Sequence, residues 1–245
     1  FMSFNARLTI YILFSEMFFG SHAMVVAYSM YLIGLVVAIL VALLLHGIEK
    51  AQNRQTEDYL LIELPEYKMP DLHTVGIYMW EKVKSYLEKA GTTIFVATIL
   101  IWFLLNFGPS GYTTDAGESF GAILGHVLVP VFRPIGLGFW QICLALLAGI
   151  SAKEVVVSSC AVLFGITNAS SGMTEFTAAL EAIGFTSLNA LCLMVFCLLY
   201  VPCAAALATI HKESGSWKWT FFEAFFQLAT AWVVTFAAYH LLSSL

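Results

Sequence analysis

The sequence predicts an all-α, polytopic helical membrane protein with an interrupted-helix gate. Three observations carry that prediction. Of the 245 residues, 60% are apolar and only 11% charged, whereas soluble domains carry about 25% charged residues. The mean hydropathy is +0.85. Apolar runs of the length needed to cross a hydrocarbon core, about 20 residues, recur along the chain. Together these exclude an ordinary soluble enzyme, a disordered chain and a nucleic-acid binder. The net charge of −5 adds little, because topology follows where Lys and Arg sit rather than their total.

The elements follow in order. Residues 8–19 are apolar but short, with Glu16 inside them. Residues 23–45 form the cleanest span, free of charge and ended by His46 and Gly47. Residues 48–70 are polar and close with Glu63-Leu64-Pro65-Glu66-Tyr67-Lys68-Met69-Pro70. Two prolines so close together disfavour helix and predict an extended strap. Asp71 is placed to N-cap the next helix. There Leu72, Val75, Met79, Val83, Tyr86, Leu87 and Ala90 recur at helical spacing, with Lys and Glu largely opposite. That pattern predicts an amphipathic helix at the membrane interface, broken or bent at Gly91. Residues 92–107 then enter the membrane.

The second half alternates in the same way. Residues 120–132 are too short to span comfortably and end at Arg133-Pro134. Residues 139–165 are apolar except for Lys153 and Glu154. Residues 166–185 read as a loop. Residues 186–210 form a span with Pro202 inside it, and residues 221–242 form the last span. Six of the eleven Lys and Arg lie between residues 46 and 90, and Lys212 and Lys218 lie in a second basic segment. Both segments are therefore expected on the cytoplasmic side. Loops 108–119 and 166–185 carry no Lys or Arg and fall outside. Between them a hairpin turning at Arg133-Pro134, or two half-helices that enter and leave, keeps the count of passes even.

Two places carry residues suited to ion chemistry. Lys153 and Glu154 interrupt an apolar run, and ionisable groups at membrane depth cost about 2.5–3.5 kcal/mol each on insertion scales. Gly149-Ile150-Ser151-Ala152 precedes them and offers a helix break, which frees carbonyls and exposes a half-helix N-terminus. Glu154 then serves as a cation ligand or gate, Lys153 as its counter-charge, and Ser151 borders the opening. The alternative is an interfacial turn between two half-helices. At the second place, Pro202 removes a backbone hydrogen bond. Cys203 beside it offers a soft ligand suited to late first-row metals, or else packs as a small apolar residue. Of the six histidines, His126 is the one placed to line a path.

The cysteines Cys143, Cys160, Cys192, Cys197 and Cys203 show no CxxC spacing, so neither a disulfide framework nor structural zinc is expected. No phosphate loop, HExxH, GxSxG or GxGxxG occurs, and no catalytic apparatus is expected in this chain.

In several blocks the chain resembles the membrane portion of the FeoB family of ferrous iron transporters. Phe1-Met2-Ser3-Phe4-Asn5-Ala6-Arg7-Leu8 resembles the segment after the family's first gate motif, with Phe4 at the family's cysteine position and Thr9 in place of a proline. Tyr31-Leu32-Ile33-Gly34 and the strap at 63–70 follow. Trp80-Glu81-Lys82-Val83-Lys84 and Lys89-Ala90-Gly91-Thr92 match the interfacial helix. Gly149-Ile150-Ser151-Ala152-Lys153-Glu154-Val155-Val156 resembles the second gate motif. Tyr200-Val201-Pro202-Cys203-Ala204-Ala205 and Glu213-Ser214-Gly215-Ser216 complete the series, in family order.

The resemblance implies the C-terminal part of the family's chain, either a piece of a longer protein or a truncated homologue. Residues 1–47 would end the first gate region, 48–91 form the cytoplasmic strap and interfacial helix, and 92–245 form the C-terminal transmembrane region with the second gate. It implies Fe²⁺ as the transported substrate, with Cys203 and Glu154 as metal contacts and Lys153, Pro202, Ser151 and His126 gating or lining the path. No cofactor is expected in this chain; GTP and Mg²⁺ belong to the family's N-terminal GTPase domain. Expected partners are membrane lipid, a GTPase domain in cis or trans and further copies of the chain, with no nucleic acid. The expected location is the bacterial cytoplasmic membrane, crossed several times. Two alternatives stay open: a gate-type permease for a nucleoside-like solute, and a non-transporting scaffold that docks a GTPase.

Overall fold

A computed structural model describes residues 5–51, 71–109, 111–113, 116–150, 153–164 and 172–244. The extended strap expected at 48–70 lies almost wholly outside the described residues, as does Phe4. Helix α1 (Asn5–Phe19) and helix α2 (Ala23–Ala51) are joined by a 3-10 turn, Gly20–His22. Gly20 takes φ +45°, a left-handed conformation that favours glycine. The chain reverses there. Leu8 and Tyr31 line one cavity, whereas a straight helix would hold them about 35 Å apart. The whole run Arg7–Ile48 is apolar enough to cross a membrane, and folding back makes it a short and a long limb. The buried face of α1 (Ile10, Tyr11 and Phe14) enters the core, while α2 leaves Leu32, Leu35, Leu40 and Leu43 uncovered.

Helix α3 (Leu72–Asn106) starts as its sequence predicts. The Asp71 side chain accepts from the backbone N–H groups of His73 and Thr74, satisfying two of the donors left open at a helix start. It does not break at Gly91: one helix of 35 residues runs through. A helical glycine costs only about 1 kcal/mol relative to alanine, and in an apolar setting an opened backbone hydrogen bond costs several times that. The chain then turns through a two-residue antiparallel ladder, β1 (Phe107–Gly108) and β2 (Gly111–Tyr112).

Helix α4 (Phe120–Phe132), capped by the Ser119 hydroxyl, and helix α5 (Trp140–Ala148) have 13 and 9 residues. At 1.5 Å per residue they reach about 20 Å and 14 Å, so neither crosses a bilayer alone. Their axes are bent by 102°. The turn uses a 3-10 segment Arg133–Ile135 and Gly136 at φ +76°. Gly121 lies under Leu144 and Gly125 against the Trp140 carbonyl, so α5 folds back and packs across α4. The two expectations for this segment thus merge: half-length helices that turn at Arg133.

The apolar run 139–165 is interrupted as expected, with α5 ending at Ala148 and α6 (Glu154–Leu163) starting beyond the break. The expected loop 166–185 is helical in its second half, as α7 (Gly172–Ala182). Phe176 and Leu180, one turn apart, are buried, and Phe176 meets Phe14 edge-on at 6.2 Å. That burial overrides the polar residues that suggested a loop. Helix α8 (Ser187–Leu199) begins with a Thr186–Asn189 capping box. The Asn189 side chain also donates to the Gly136 carbonyl, tying α8 to the α4–α5 turn.

The span expected at 186–210 is not continuous either. Residues 200–203 separate α8 from α9 (Ala204–Ser214). Gly215, at φ +61°, ends α9, and α10 (Trp217–Ser243) runs back along both. His211 of α9 stacks on Trp217 at 3.9 Å. Further along α10, the Trp232 indole donates to the Val131 carbonyl at 3.0 Å, and the Tyr239 ring sits over Gly136. Helix α10, with 27 residues, is long and apolar enough to span. The core is the region where α1, α5, α6 and α8 meet, and α8 is buried almost continuously from Cys192 to Tyr200.

Candidate functional site: the crossing of two broken helices

Each break has a local cause. In the second, Pro202 has no N–H to donate and pushes Val201 away from helical geometry. Tyr200 (φ −69°, ψ 172°) and Cys203 (φ −62°, ψ 159°) are both extended. The result is a stretch of extended chain rather than a kink. In the first, the Gly149 N–H reaches Ala145 and the Ile150 N–H reaches Leu147, closing α5 with a tightened last turn. Helix α6 restarts at Glu154, with the Val156 N–H on the Lys153 carbonyl.

The two breaks cap each other. The Ala204 N–H, at the start of α9, donates to the Ile150 carbonyl at 2.7 Å. The Lys153 ammonium donates to the Cys197 and Tyr200 carbonyls, both at 3.3 Å, at the end of α8. Helix ends leave backbone groups open. A cation at a helix C-terminus also meets the negative end of the macrodipole. Lys153 further lies 4.0 Å from the centroid of the Tyr200 ring, a cation–π contact. Hydrogen bonds from a charged donor contribute about 1.5–3 kcal/mol each. They offset part of the cost of burying the charge of a lysine that is only 5% exposed.

The closeness of the crossing depends on Gly149. A Cβ there would lie 2.5 Å from the Tyr200 hydroxyl and closer still to Val156 Cγ2. The Tyr200 side chain is 2% exposed, and its hydroxyl has no hydrogen-bond partner among the described residues. The ring stacks on Phe196 at 5.5 Å. Arg7, 8% exposed on α1, lies within electrostatic range of Lys153, Cys197 and Tyr200.

The residues singled out in the sequence fall into three groups. Lys153, Pro202 and Cys203 meet at the crossing. Cys203, half-buried at the N-cap of α9, lies within electrostatic range of Lys153 and Tyr200. Glu154 opens α6, but its side chain lies outside the described residues, as does all of Ser151. His126 is not brought to the crossing: it is exposed on α4 and stacks on Trp140 at 5.5 Å, at the opposite end of α5. Among the described residues no three His, Cys, Asp or Glu side chains converge on one point. Sequence reasoning left out Tyr200, Arg7 and the Cys197 carbonyl. The position of Tyr200, two residues before Pro202, was the available signal for the first. Glu16, expected in a short apolar segment, lines a cavity of about 620 Å³ between α1 and α2, with Ser15, Ser21, Tyr28 and Tyr31.

Comparison with known proteins identifies the families the chain is similar to. Residues 27–82 match the family described as ferrous iron transport protein B C terminus. Residues 87–217, just over half of the chain, match the Gate family, described as nucleoside recognition. The Fe(2+) transporter FeoB of Staphylococcus aureus (strain MSSA476) is 37% identical over 241 residues, covering 98% of this chain and 35% of that protein. The Fe(2+) transporter FeoB of Methanocaldococcus jannaschii is 39% identical, covering 95% of this chain and 34% of that protein. A Porphyromonas gingivalis protein, named Fe(2+) transport protein A/Fe(2+) transporter FeoB fusion protein, is 31% identical over 98% of this chain and 33% of its own length. The chain thus spans about a third of the length of these relatives. No solved structure matches it.

Proposed function

The chain belongs to the Gate family and carries a FeoB-type C-terminal membrane region, and on that premise we propose that it is the permease part of a ferrous iron transporter, with the ion's path at the crossing of the two broken helices. The observation that carries this reading is the reciprocal capping there. The Ile150 carbonyl holds the start of α9 and the Lys153 ammonium holds the end of α8. A span broken in this way offers an ion backbone carbonyls and helix ends at membrane depth, which a continuous helix does not.

In this reading Cys203 and Glu154 contact Fe²⁺. A single soft thiolate with oxygen ligands suits a divalent ion of intermediate softness and holds it weakly enough to release it. Pro202 keeps the break open, Lys153 gates it and Ser151 borders it. His126, at the far end of α5, takes no part. The full protein would sit in the bacterial cytoplasmic membrane and cross it several times. A GTPase domain, in cis or trans, would use GTP and Mg²⁺ and dock against the basic segment 46–90. Further copies of the chain would cover the exposed apolar faces of α2 and α10. The tight crossing, where Gly149 admits no side chain beside Tyr200, favours an ion over a nucleoside-sized solute.

The test is Fe²⁺ uptake by the full-length protein in sealed vesicles, under reducing conditions. Cys203→Ser is expected to lower uptake severalfold while leaving folding intact. Unchanged uptake removes Cys203 from the path. Thermal stabilisation by a nucleoside, and by no divalent metal, would replace the iron reading with the solute reading.

A further inference from the structure

The end of α8 is built as a cation site. Two carbonyl oxygens, of Cys197 and Tyr200, converge on one point, and the face of the Tyr200 ring closes it at 4.0 Å. Carbonyl dipoles and an aromatic quadrupole both select positive charge. The point is buried: Tyr200 is 2% exposed and the group now occupying it 5%. The occupant is the ammonium of Lys153, which reaches the point from the facing break. The Tyr200 hydroxyl, buried and without a hydrogen-bond partner among the described residues, faces Gly149 in the wall of the same crossing, which places a polar atom there for a ligand.

We propose that this cradle is a binding site for the transported cation and that Lys153 is a tethered surrogate for it, filling the site in the closed state. An ammonium and a partly dehydrated metal ion compete for the same oxygens, so one excludes the other. Opening then requires the Lys153 side chain to swing off the α8 carbonyls, which the passing ion takes up in its place. Through the exchange a divalent charge takes the place of a single one, and neither state leaves the carbonyls bare. The cradle also explains why the lysine side chain extends to the far helix: its stem is long enough to reach both carbonyls while its own backbone stays in the first break.

The proposal rests on the ion path lying at this crossing, and the experiment separates the two. The full-length protein is sealed in vesicles that contain a ferrous-ion dye, with Fe²⁺ kept reduced outside by ascorbate and no nucleotide present. Closed minor-state equilibria hold the open form at a few per cent or less, so Lys153→Met, which keeps the length and loses the charge, is expected to raise Fe²⁺ leak about tenfold or more. Millimolar propylammonium outside is expected to suppress that leak by refilling the cradle. A folded Lys153→Met protein that leaks no more than wild type overturns the proposal. So does a leak that propylammonium leaves untouched. Should Lys153→Met fail to fold, Tyr200→Leu carries the test. It keeps the ammonium and both carbonyls but removes the ring, and a leak raised about tenfold or more, the worth of a desolvated cation–π contact, is expected; a wild-type leak overturns the proposal. Failure of the underlying path shows differently, as nucleotide-driven uptake that is indifferent to Cys203→Ser.

Discussion

Adding one methyl group at Gly149 is the sharpest mechanical test of the crossing. Gly149 has φ −64° and ψ −11°, ordinary right-handed geometry, so Gly149→Ala introduces no backbone strain. Elsewhere in a helix such a change would gain up to about 1 kcal/mol. Here the new Cβ would lie 2.5 Å from the Tyr200 hydroxyl and closer to Val156 Cγ2, against an ordinary contact of about 3.5–4.0 Å. Something must move by about 1 Å or more on the Tyr200 side. Overpacking of this kind costs about 1–3 kcal/mol, so the net effect is a loss of up to about 2 kcal/mol. The strain falls on the Ile150–Ala204 and Lys153–Tyr200 contacts, which lie next to Gly149. The assay is thermal unfolding of the full-length protein in detergent, paired with Fe²⁺ uptake in vesicles. Gly149→Ala should melt several degrees lower and transport poorly. Adding Val156→Ala should recover part of the loss, with a coupling of about 0.5–3 kcal/mol expected for residues in contact. Gly76→Ala, where nothing lies within 4 Å of the new methyl group, is the control and should be neutral or slightly stabilising. If Gly149→Ala melts and transports like Gly76→Ala, the two breaks do not meet as described.

Two further outcomes follow from the same geometry. Gly125→Ala would place a Cβ 2.8 Å from the Trp140 carbonyl, so it should force α4 and α5 apart and lower the melting temperature, whereas His126→Ala, which only unstacks an exposed ring from Trp140, should cost much less; equal losses would argue against the re-entrant hairpin. At the start of α3, hydrogen bonds from Thr74, then from the His73 backbone, hold the Asp71 carboxyl below its ordinary range. A depressed carboxylate lends its stability above the unfolded value and loses it as pH falls through the folded one. Protection of the first-turn amides of α3, with exchange read against the intrinsic rate at each pH, should therefore fall only on acidification below about pH 4, and Asp71→Ala should abolish that dependence.

Much of the fold was legible because a bilayer makes helix length and charge placement decisive. The apolar runs at 23–45 and 221–242 became α2 and α10 with small shifts at their ends. Asp71 capped α3 as its position implied. The break before Lys153 was readable from Gly149 and the charged pair that follows it. The misses have physical reasons. Gly91 breaks nothing, because backbone hydrogen bonds are worth more than one residue's propensity where water is scarce. Helix α7 was hidden, because Phe176 and Leu180 are only two apolar positions and their burial depends on Phe14, 162 residues earlier in the chain. Pro202 suggested one freed carbonyl within a span; the structure opens residues 200–203 and places a lysine from the other break against the open end of α8. A single sequence shows that a carbonyl is free but not which side chain comes to it. That is why Tyr200 and Arg7 went unremarked while Lys153 and Cys203 did not.

The central claim is that the crossing of α5–α6 with α8–α9 is the wet passage through which the ion moves. Cysteine labelling in the full-length protein, in sealed vesicles, tests it most directly. A small, charged, water-soluble thiol reagent is applied while Fe²⁺ uptake is followed, and the labelled positions are found by peptide mass spectrometry. Cys203 should react while the fully buried Cys143, Cys160, Cys192 and Cys197 do not, uptake should stop as Cys203 is modified, and Fe²⁺ should slow the reaction. A Cys203 that stays unlabelled during active uptake, or that is fully labelled while uptake continues, would place the passage somewhere else.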